Sequence, residues 1–215
     1  MHGGYHVIAI GGGGFTHGAD PELDLFCLKG LPERPHLGFI GAASRDDPVK
    51  IARFHTRFAD LAGSLSHLPM GAGSAQAAAW AASLDLIYVG GGNTARLVSH
   101  LRETGIADVL AEATVKGTVL AGVSAGAACW FDKVLTDSLG NGLRPMDGLG
   151  IVPGSCCPHY STEPLRQTAF PEAIARGDLP AGYAIDDGAA IRLISSGEAE
   201  VFSARMNAGA RRLPK

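Results

Sequence analysis

Cysteine, excess charge of either sign and long apolar runs are all scarce in this chain. Only four cysteines occur, two of them adjacent, and no C-x-x-C spacing is present. This usage argues against a disulfide framework and favours buried or spare thiols in a reducing compartment. No apolar run approaches the roughly 20 residues of a transmembrane helix, and the first residues lack a signal-peptide pattern. We therefore expect a cytoplasmic protein that does not enter a membrane.

The charge and the histidines exclude further classes. A net charge of −3 offers no electrostatic footprint for nucleic acid or for an anionic membrane surface. The eight histidines are scattered, without H-E-x-x-H or another metal-ligand spacing, so no metal site is expected. With 46% hydrophobic and 18% charged residues, the composition is that of a folded globular protein.

Short apolar strands alternate with helical patterns along most of the chain. The strands are predicted at 6–10, 37–40, 64–68, 84–89 and 118–123, and the helices at 21–31, 49–62, 72–83, 95–101 and 105–113. This alternation is typical of an α/β protein with a three-layer, doubly wound, mostly parallel sheet. No linker, repeat or low-complexity segment divides the chain, which predicts one domain over 1–215.

Two glycine-rich turns follow predicted strands, at the edge where such sheets bind ligands. The first, at 11–14, fails the G-x-G-x-x-G dinucleotide pattern because Thr16 takes the sixth position, and the second strand is not followed by an acidic residue. Close backbone packing explains these glycines more simply. The second turn, Gly90–Gly92, leads into Asn93 and Thr94, which are expected to cap the next helix.

One hydroxyl stands where a strand gives way to a helix. Gly122-Val123-Ser124-Ala125-Gly126 has the G-x-S-x-G pattern of a nucleophile elbow, in which small neighbours allow a sharp turn that exposes the serine. The alternative is a glycine-rich turn with an incidental serine. Because a serine hydroxyl is a weak nucleophile, the hypothesis requires a histidine base and an acid that orients it.

His159 is the candidate base, since it follows a proline in a loop after a strand-like segment. Asp137 lies in the polar, turn-rich stretch 134–142 and is the candidate acid, with Glu163 as its rival. Asp186 and Asp187 are interpreted as turn residues of a hairpin over 183–193, able to line the pocket. The segment 198–204 is predicted to close the sheet edge.

Several short motifs, in order along the chain, resemble the peptidase E family, whose relatives include cyanophycinase. They are Gly90-Gly91-Gly92-Asn93-Thr94, Gly122-Val123-Ser124-Ala125-Gly126-Ala127, Cys157-Pro158-His159-Tyr160 and Ile185-Asp186-Asp187-Gly188-Ala189. The stretches Ile8–Gly14 and Phe39–Ser44 are similar as well. The resemblance implies a class I glutamine amidotransferase-like fold in which serine replaces the amidotransferase cysteine.

The resemblance also implies roles for individual residues. Ser124 matches the nucleophile and His159 the base, while the amides of Gly92 and Ala125 match the oxyanion hole. Asn93 would line the substrate site. The family's acid lies between serine and histidine, which favours Asp137.

The best-known members of the family remove an amino-terminal aspartate from dipeptides. Such selectivity requires a cation for the substrate carboxylate, and Arg166 is the candidate, with Tyr160 and Glu163 also assigned to the substrate site. The expected function is a serine exopeptidase that cleaves small peptides through an acyl-enzyme, without a metal or organic cofactor. The alternatives are a non-peptidase amidase or hydrolase on the same scaffold and a catalytically silent binding protein. The resemblance is also the ground for expecting a homodimer.

Overall fold

A computed structural model describes residues 4–215 of the chain. Its strands are β1 His6–Ile10, β2 His36–Ile40, β3 Ser64–Leu68, β4 Leu86–Val89, β5 Val119–Val123, β6 Phe131–Thr136, β7 Arg144–Asp147, β8 Val152–Cys157, β9 Gly182–Ile185, β10 Ala189–Ile194, β11 Ala199–Ser203 and β12 Ala210–Leu213. The helices are α1 Pro21–Leu28, α2 Pro48–Phe58, α3 Ser74–Ala81, α4 Thr94–Glu103, α5 Ile106–Val115, α6 Ala125–Ala128 and α7 Pro164–Ala175. The fold is therefore mixed α/β.

The larger sheet has seven strands in the order β11-β10-β1-β5-β4-β2-β3. Within this order, the five strands β1, β5, β4, β2 and β3 are parallel to one another, whereas β10 and β11 are antiparallel to their neighbours. Side chains alternate between two apolar clusters along each strand: Val7 and Ala9 of β1 join the cluster that holds α4 and α5, and Ile8 and Ile10 join the one that holds α1 and α2. The sheet is thus covered on both faces, as a buried parallel sheet requires.

The predicted elements of this sheet are found with small shifts at their ends. The helix predicted at 49–62 begins at Pro48, where proline suits the first turn, and Asp47 caps it by accepting from the amide of Val49. Similarly, the side chain of Asn93 caps α4 by accepting from the amide of Arg96. The edge strand predicted at 198–204 is β11.

A second sheet of five strands, in the order β12-β9-β8-β6-β7, was not predicted. Two interpretations of the sequence are wrong as a result. The stretch 134–142, interpreted as polar and turn-rich, begins inside strand β6. The segment 183–193 is not a hairpin, because β9 pairs with β8 and β12 whereas β10 pairs with β1 and β11. The residues between β9 and β10 therefore cross from one sheet to the other, which places them at the junction of the two.

No helix in the described part of the chain is long and apolar enough to cross a membrane.

The four cysteines are buried as free thiols, at Cys27, Cys129, Cys156 and Cys157. Burial raises the pKa of Cys157 to about 12, against the opposing charge of Arg166, and burial likewise holds the thiol pKa of Cys129 and Cys156 well above its ordinary value. We expect no rapid reaction of the native protein with a thiol reagent such as Ellman's reagent at pH 8. The raised pKa leaves few thiols ionised, and burial keeps the reagent from reaching them. Four thiols should react once the chain is unfolded in guanidinium chloride; fast reaction of the native protein would contradict this burial.

Candidate active site

Ser124 lies at the carboxyl edge of the larger sheet, directly after β5 and before α6. Its amide donates a hydrogen bond of 3.0 Å to the carbonyl of Ile10 at the end of β1. Its backbone has φ 57° and ψ −116°, a left-handed conformation that costs a side-chain-bearing residue about 1–3 kcal/mol. A strained residue with its side chain at the ligand-binding edge of the sheet is a functional candidate.

The two glycines that flank this serine are required by contact between backbones. A Cβ on Gly122 would lie 2.1 Å from the carbonyl oxygen of Gly126, and a Cβ on Gly126 would lie 2.1 Å from that of Val89. Real Cβ atoms are not found so close to an oxygen, so only glycine lets strand and helix approach at this turn.

The second sheet supplies the histidine. His159 follows β8 in a left-handed conformation, with φ 55°, and its Nε2 lies 2.8 Å from Ser124 Oγ. The two side chains come from different sheets, so the docking of one sheet beside the other creates the contact. The imidazole is 17% exposed, enough for a substrate or a water molecule to reach it.

A carboxylate lies on the other nitrogen of the ring. Asp187 Oδ1 is 2.6 Å from His159 Nδ1, and Thr162 Oγ1 donates to Asp187 Oδ2 at 2.9 Å. Partial burial opposes ionisation, but the hydrogen bond and charge of His159, together with the Thr162 hydroxyl, outweigh it and hold the pKa of the Asp187 carboxyl below its ordinary value. Asp187 is therefore an ionised acceptor at neutral pH, which fixes the ring with a proton on Nδ1 and a lone pair on Nε2 toward the serine.

The first glycine turn makes room for this carboxylate. Gly12 pairs with Asp187 as an isolated bridge, and the amide of Gly188 donates to the carbonyl of Gly12 at 2.8 Å. A Cβ on Gly12 would lie 2.1 Å from Asp187 Oδ1 and 2.9 Å from His159 Cε1. The glycine therefore serves close packing against the site.

The predicted acid, Asp137, does not lie on the imidazole. Its side chain is 68% exposed, and its ion-pair partner is Arg166 at 3.9 Å. The rival, Glu163, is paired with the same arginine. Asp137 directly follows β6, and this strand directs it toward Arg166 at the start of α7 rather than toward His159. The position beside His159 Nδ1 is taken by Asp187.

Arg166, predicted to bind a substrate carboxylate, is buried and engaged inside the protein. Its guanidinium pairs with Glu163 and donates to the carbonyl of Leu135 at 3.1 Å, which ties α7 to β6. Tyr160 is also buried, with its hydroxyl donating to the carbonyl of Gln167 and its ring under Arg211. Both side chains are therefore engaged in contacts inside the protein.

The turn at Gly90–Gly92 lies beside the serine. A Cβ on Gly91 would be 3.6 Å from Ser124 Oγ, so this turn forms one wall of the space around the hydroxyl. Gly92 has φ 153° and packs against the carbonyl of Ala43, and the amide of Ala125 is the first of α6. A first helical amide has no acceptor within its own helix. Asn93, expected to line the site, uses its side chain to cap α4 and to donate to the carbonyl of Ser138.

Three further residues near the site were not identified from the sequence. Thr162 supports Asp187, His17 places its ring 6.1 Å from that of His159, and Lys50 donates to the carbonyl of Gly91 at 2.9 Å. Burial lowers the pKa of His17, although its hydrogen bond to Gly13 acts in the opposite direction. None of the three carries a local sequence signal, since each reaches the site from a separate loop or helix.

Within residues 4–215, no group of three or more histidine, cysteine, aspartate or glutamate side chains is arranged to hold a metal ion. The groups gathered around Ser124 are a serine hydroxyl, an imidazole and a carboxylate.

Comparison with known proteins identifies the family. The model of peptidase family S51 matches residues 7–201. The chain is 40% identical over 210 residues to the uncharacterized peptidase YgaJ of Bacillus subtilis (strain 168), covering 96% of this chain and 91% of that protein. It is 30% identical over 132 residues to Peptidase E of Streptomyces coelicolor, covering 60% of this chain and 53% of that protein.

The fold has a counterpart among solved structures. The crystal structure of a peptidase from an acI-B1 Actinobacterium superposes with a TM-score of 0.69 at 20% sequence identity, covering 99% of this chain and 95% of that chain. The resemblance to peptidase E that the sequence motifs indicated is confirmed by the family model and by the curated relatives. The chain belongs to peptidase family S51, the family of peptidase E, and is a serine peptidase.

Proposed function

We propose that this serine peptidase is an exopeptidase for small peptides, with Ser124 as nucleophile, His159 as general base and Asp187 as the acid that orients His159. The observation that carries the proposal is one unbroken chain of hydrogen bonds, from Asp187 Oδ1 to His159 Nδ1 at 2.6 Å and from His159 Nε2 to Ser124 Oγ at 2.8 Å. The arrangement of nucleophile, base and orienting acid is what acyl transfer by serine requires. Asp187 replaces Asp137 in the role that the sequence assigned to the latter.

The acylation step follows from the proton positions. As Ser124 Oγ attacks the substrate carbonyl carbon, its proton passes to His159 Nε2, and the ionised Asp187 stabilises the imidazolium. The tetrahedral intermediate then collapses, the C–N bond breaks, and the leaving amine takes the proton from Nε2. The result is an ester between the substrate acyl group and Ser124.

The amides of Gly92 and Ala125 are assigned to the oxyanion that forms in this step. Gly92 belongs to the same turn as Gly91, on which a Cβ would lie 3.6 Å from Ser124 Oγ. Ala125 offers the first amide of α6. A donor placed at a developing oxyanion contributes about 3 kcal/mol to lowering the barrier. Water then repeats the attack on the ester, with His159 again taking and returning the proton, and the acid product leaves.

The proposal extends to the architecture. A strained serine between β5 and α6, flanked by glycines that no other residue could replace, is typical of a nucleophile elbow. A parallel sheet covered on both faces, with this turn at its carboxyl edge, supports a class I glutamine amidotransferase-like fold in which serine takes the cysteine position.

The proposed substrates are dipeptides, and selectivity for an N-terminal aspartate is proposed on the similarity to peptidase E alone. The burial of Arg166 and its pairing with Glu163 argue against a role in holding the aspartate carboxylate.

The test is hydrolysis of Xaa-Leu dipeptides with Asp, Glu, Asn, Arg or Gly in first position, followed by release of free leucine. We expect hydrolysis of at least one member of the panel, with Asp-Leu the fastest, and no cleavage of casein. Hydrolysis of simple acyl amides without any dipeptide cleavage would replace the exopeptidase with an amidase. Absence of any hydrolysis would favour the catalytically silent binding protein.

A further inference from the structure

Among residues 4–215, backbone hydrogen bonds anchor the Gly90–Gly92 turn at both ends and none is made by its middle peptide unit. At its start the amide of Gly90 donates to the carbonyl of Ile40, and after its end the amide of Asn93 donates to that of Ala43, both at 3.0 Å. Between them lies the peptide unit that joins Gly91 to Gly92. Since glycine adopts most backbone conformations at little cost, rotation of this unit would meet little local resistance.

A lysine from another element holds that middle unit. Lys50 Nζ donates to the carbonyl oxygen of Gly91 at 2.9 Å. The described residues contain no cis peptide bond, and in a trans unit the C=O and N–H point in opposite directions. The Lys50 contact therefore also fixes the direction of the Gly92 N–H, which is the amide assigned to the oxyanion.

The position of this lysine is unfavourable for its own helix. Lys50 is in the first turn of α2, after the Asp47 cap. A cation at this end of a helix opposes the helix dipole, where an acidic residue would be stabilising by about 0.3–1 kcal/mol. A residue that contradicts the local preference of its element is expected where function requires it.

We propose that Lys50 is a positioning residue for the oxyanion hole: its ammonium group holds the Gly91–Gly92 peptide unit in the donating orientation and polarises it. A charged donor on the carbonyl draws electron density from the amide and makes the N–H on the other side a stronger donor. In this role Lys50 acts through the Gly91 carbonyl and touches neither substrate nor the reacting atoms. The inference rests on the proposed function, because it presupposes that the Gly92 amide receives the oxyanion.

The first test is the rate at which a fluorophosphonate inactivates the protein, because its phosphoryl oxygen occupies the oxyanion position. We compare the wild type with Lys50→Met, Lys50→Arg and Lys116→Met, the last removing an exposed lysine that pairs with Glu112. The rate for Lys50→Met is expected to fall about 10- to 100-fold, less than the 10²- to 10³-fold cost of deleting an oxyanion donor outright. Lys50→Arg should keep most of the rate, because a guanidinium also donates, and Lys116→Met should equal the wild type.

The second test reads the peptide unit without any reaction. The amide nitrogen of Gly92 responds to hydrogen bonding at the carbonyl of Gly91, so its ¹⁵N resonance should move in Lys50→Met and stay near the wild-type position in Lys116→Met. The remaining amide spectrum should show that Lys50→Met is folded. An unmoved Gly92 resonance would overturn the contact.

The outcomes separate this inference from the proposed function. A wild-type protein that the fluorophosphonate does not inactivate would overturn the proposed function, and the role of Lys50 with it. Inactivation of the wild type and of Lys50→Met at equal rates would overturn the role of Lys50 alone. A rise in KM for Asp-Leu with unchanged kcat would also overturn it, because Lys50 would then bind the substrate carboxylate.

Discussion

Replacing Ser124 by alanine is expected to abolish dipeptide hydrolysis while the protein stays folded. Removal of the serine nucleophile from such a constellation lowers kcat by a factor of about 10⁶. The fold should survive because the hydrogen bond to Ile10 is made by the backbone amide of residue 124, which alanine keeps. The measurement is leucine release from the preferred dipeptide, with the thermal unfolding midpoint as the test of folding.

Contaminating peptidases set the practical limit of this experiment, so the wild type and the variant must be purified identically. A folded Ser124→Ala protein that hydrolyses the dipeptide at more than about a thousandth of the wild-type rate would contradict the role of Ser124, because catalysis left without the nucleophile is far weaker.

Replacing Asp187 by asparagine is expected to lower kcat by about 10⁴, since an amide in the acid position permits the wrong imidazole tautomer. Asparagine can donate its NH₂ to Nδ1, which would place the ring proton on Nε2, where a base is needed. The size of the side chain is unchanged, so the loss reports the hydrogen bond and the charge. Steady-state kinetics of the wild type and the variant provide the measurement.

Two matched substitutions make this result specific. Asp137→Asn should lose far less activity, because Asp137 is paired with Arg166 and does not contact His159. Asp178→Asn removes an exposed carboxylate that pairs with Arg176 and should behave as the wild type. If Asp137→Asn lost as much activity as Asp187→Asn, or more, Asp137 would regain the role that the sequence gave it.

The parallel part of the fold could be predicted from the sequence because its signals are local. Each of its strands is a short apolar run, the glycines at Gly90–Gly92 follow the end of β4, and Gly122 and Gly126 flank the turn from β5 into α6. The requirement for small residues around Ser124 is a matter of contact between neighbouring backbone segments. Such contacts leave a direct record in the sequence, and the serine could be singled out on that basis.

The carboxylate that contacts His159 could not be predicted, because its position depends on pairing between distant strands. Asp186-Asp187-Gly188 has the composition of a hairpin turn, and locally that interpretation is reasonable. In the structure β9 and β10 join different sheets, and the link between them carries Asp187 to the carboxyl edge beside Gly12. Strand pairing of this kind is decided by tertiary packing rather than by turn composition.

Burial argues against the predicted substrate contacts of Arg166 and Tyr160 for a related reason. Arg166 and Tyr160 follow the histidine closely in sequence, which suggested that they share its pocket. The second sheet was not foreseen, and its packing against α7 takes both side chains into the interior. Proximity along the chain placed them near His159, but burial decides what they can bind.

The central claim is that His159, held by Asp187, activates the hydroxyl of Ser124. Treatment with a fluorophosphonate tests it most directly, because an activated serine forms an Oγ–P bond, passes its proton to the base and expels fluoride. We expect one adduct per chain, found by peptide mass spectrometry on the fragment with Ser124 and absent from a His159→Ala variant. A wild-type protein that takes up no label, or carries it on another residue, would contradict the account.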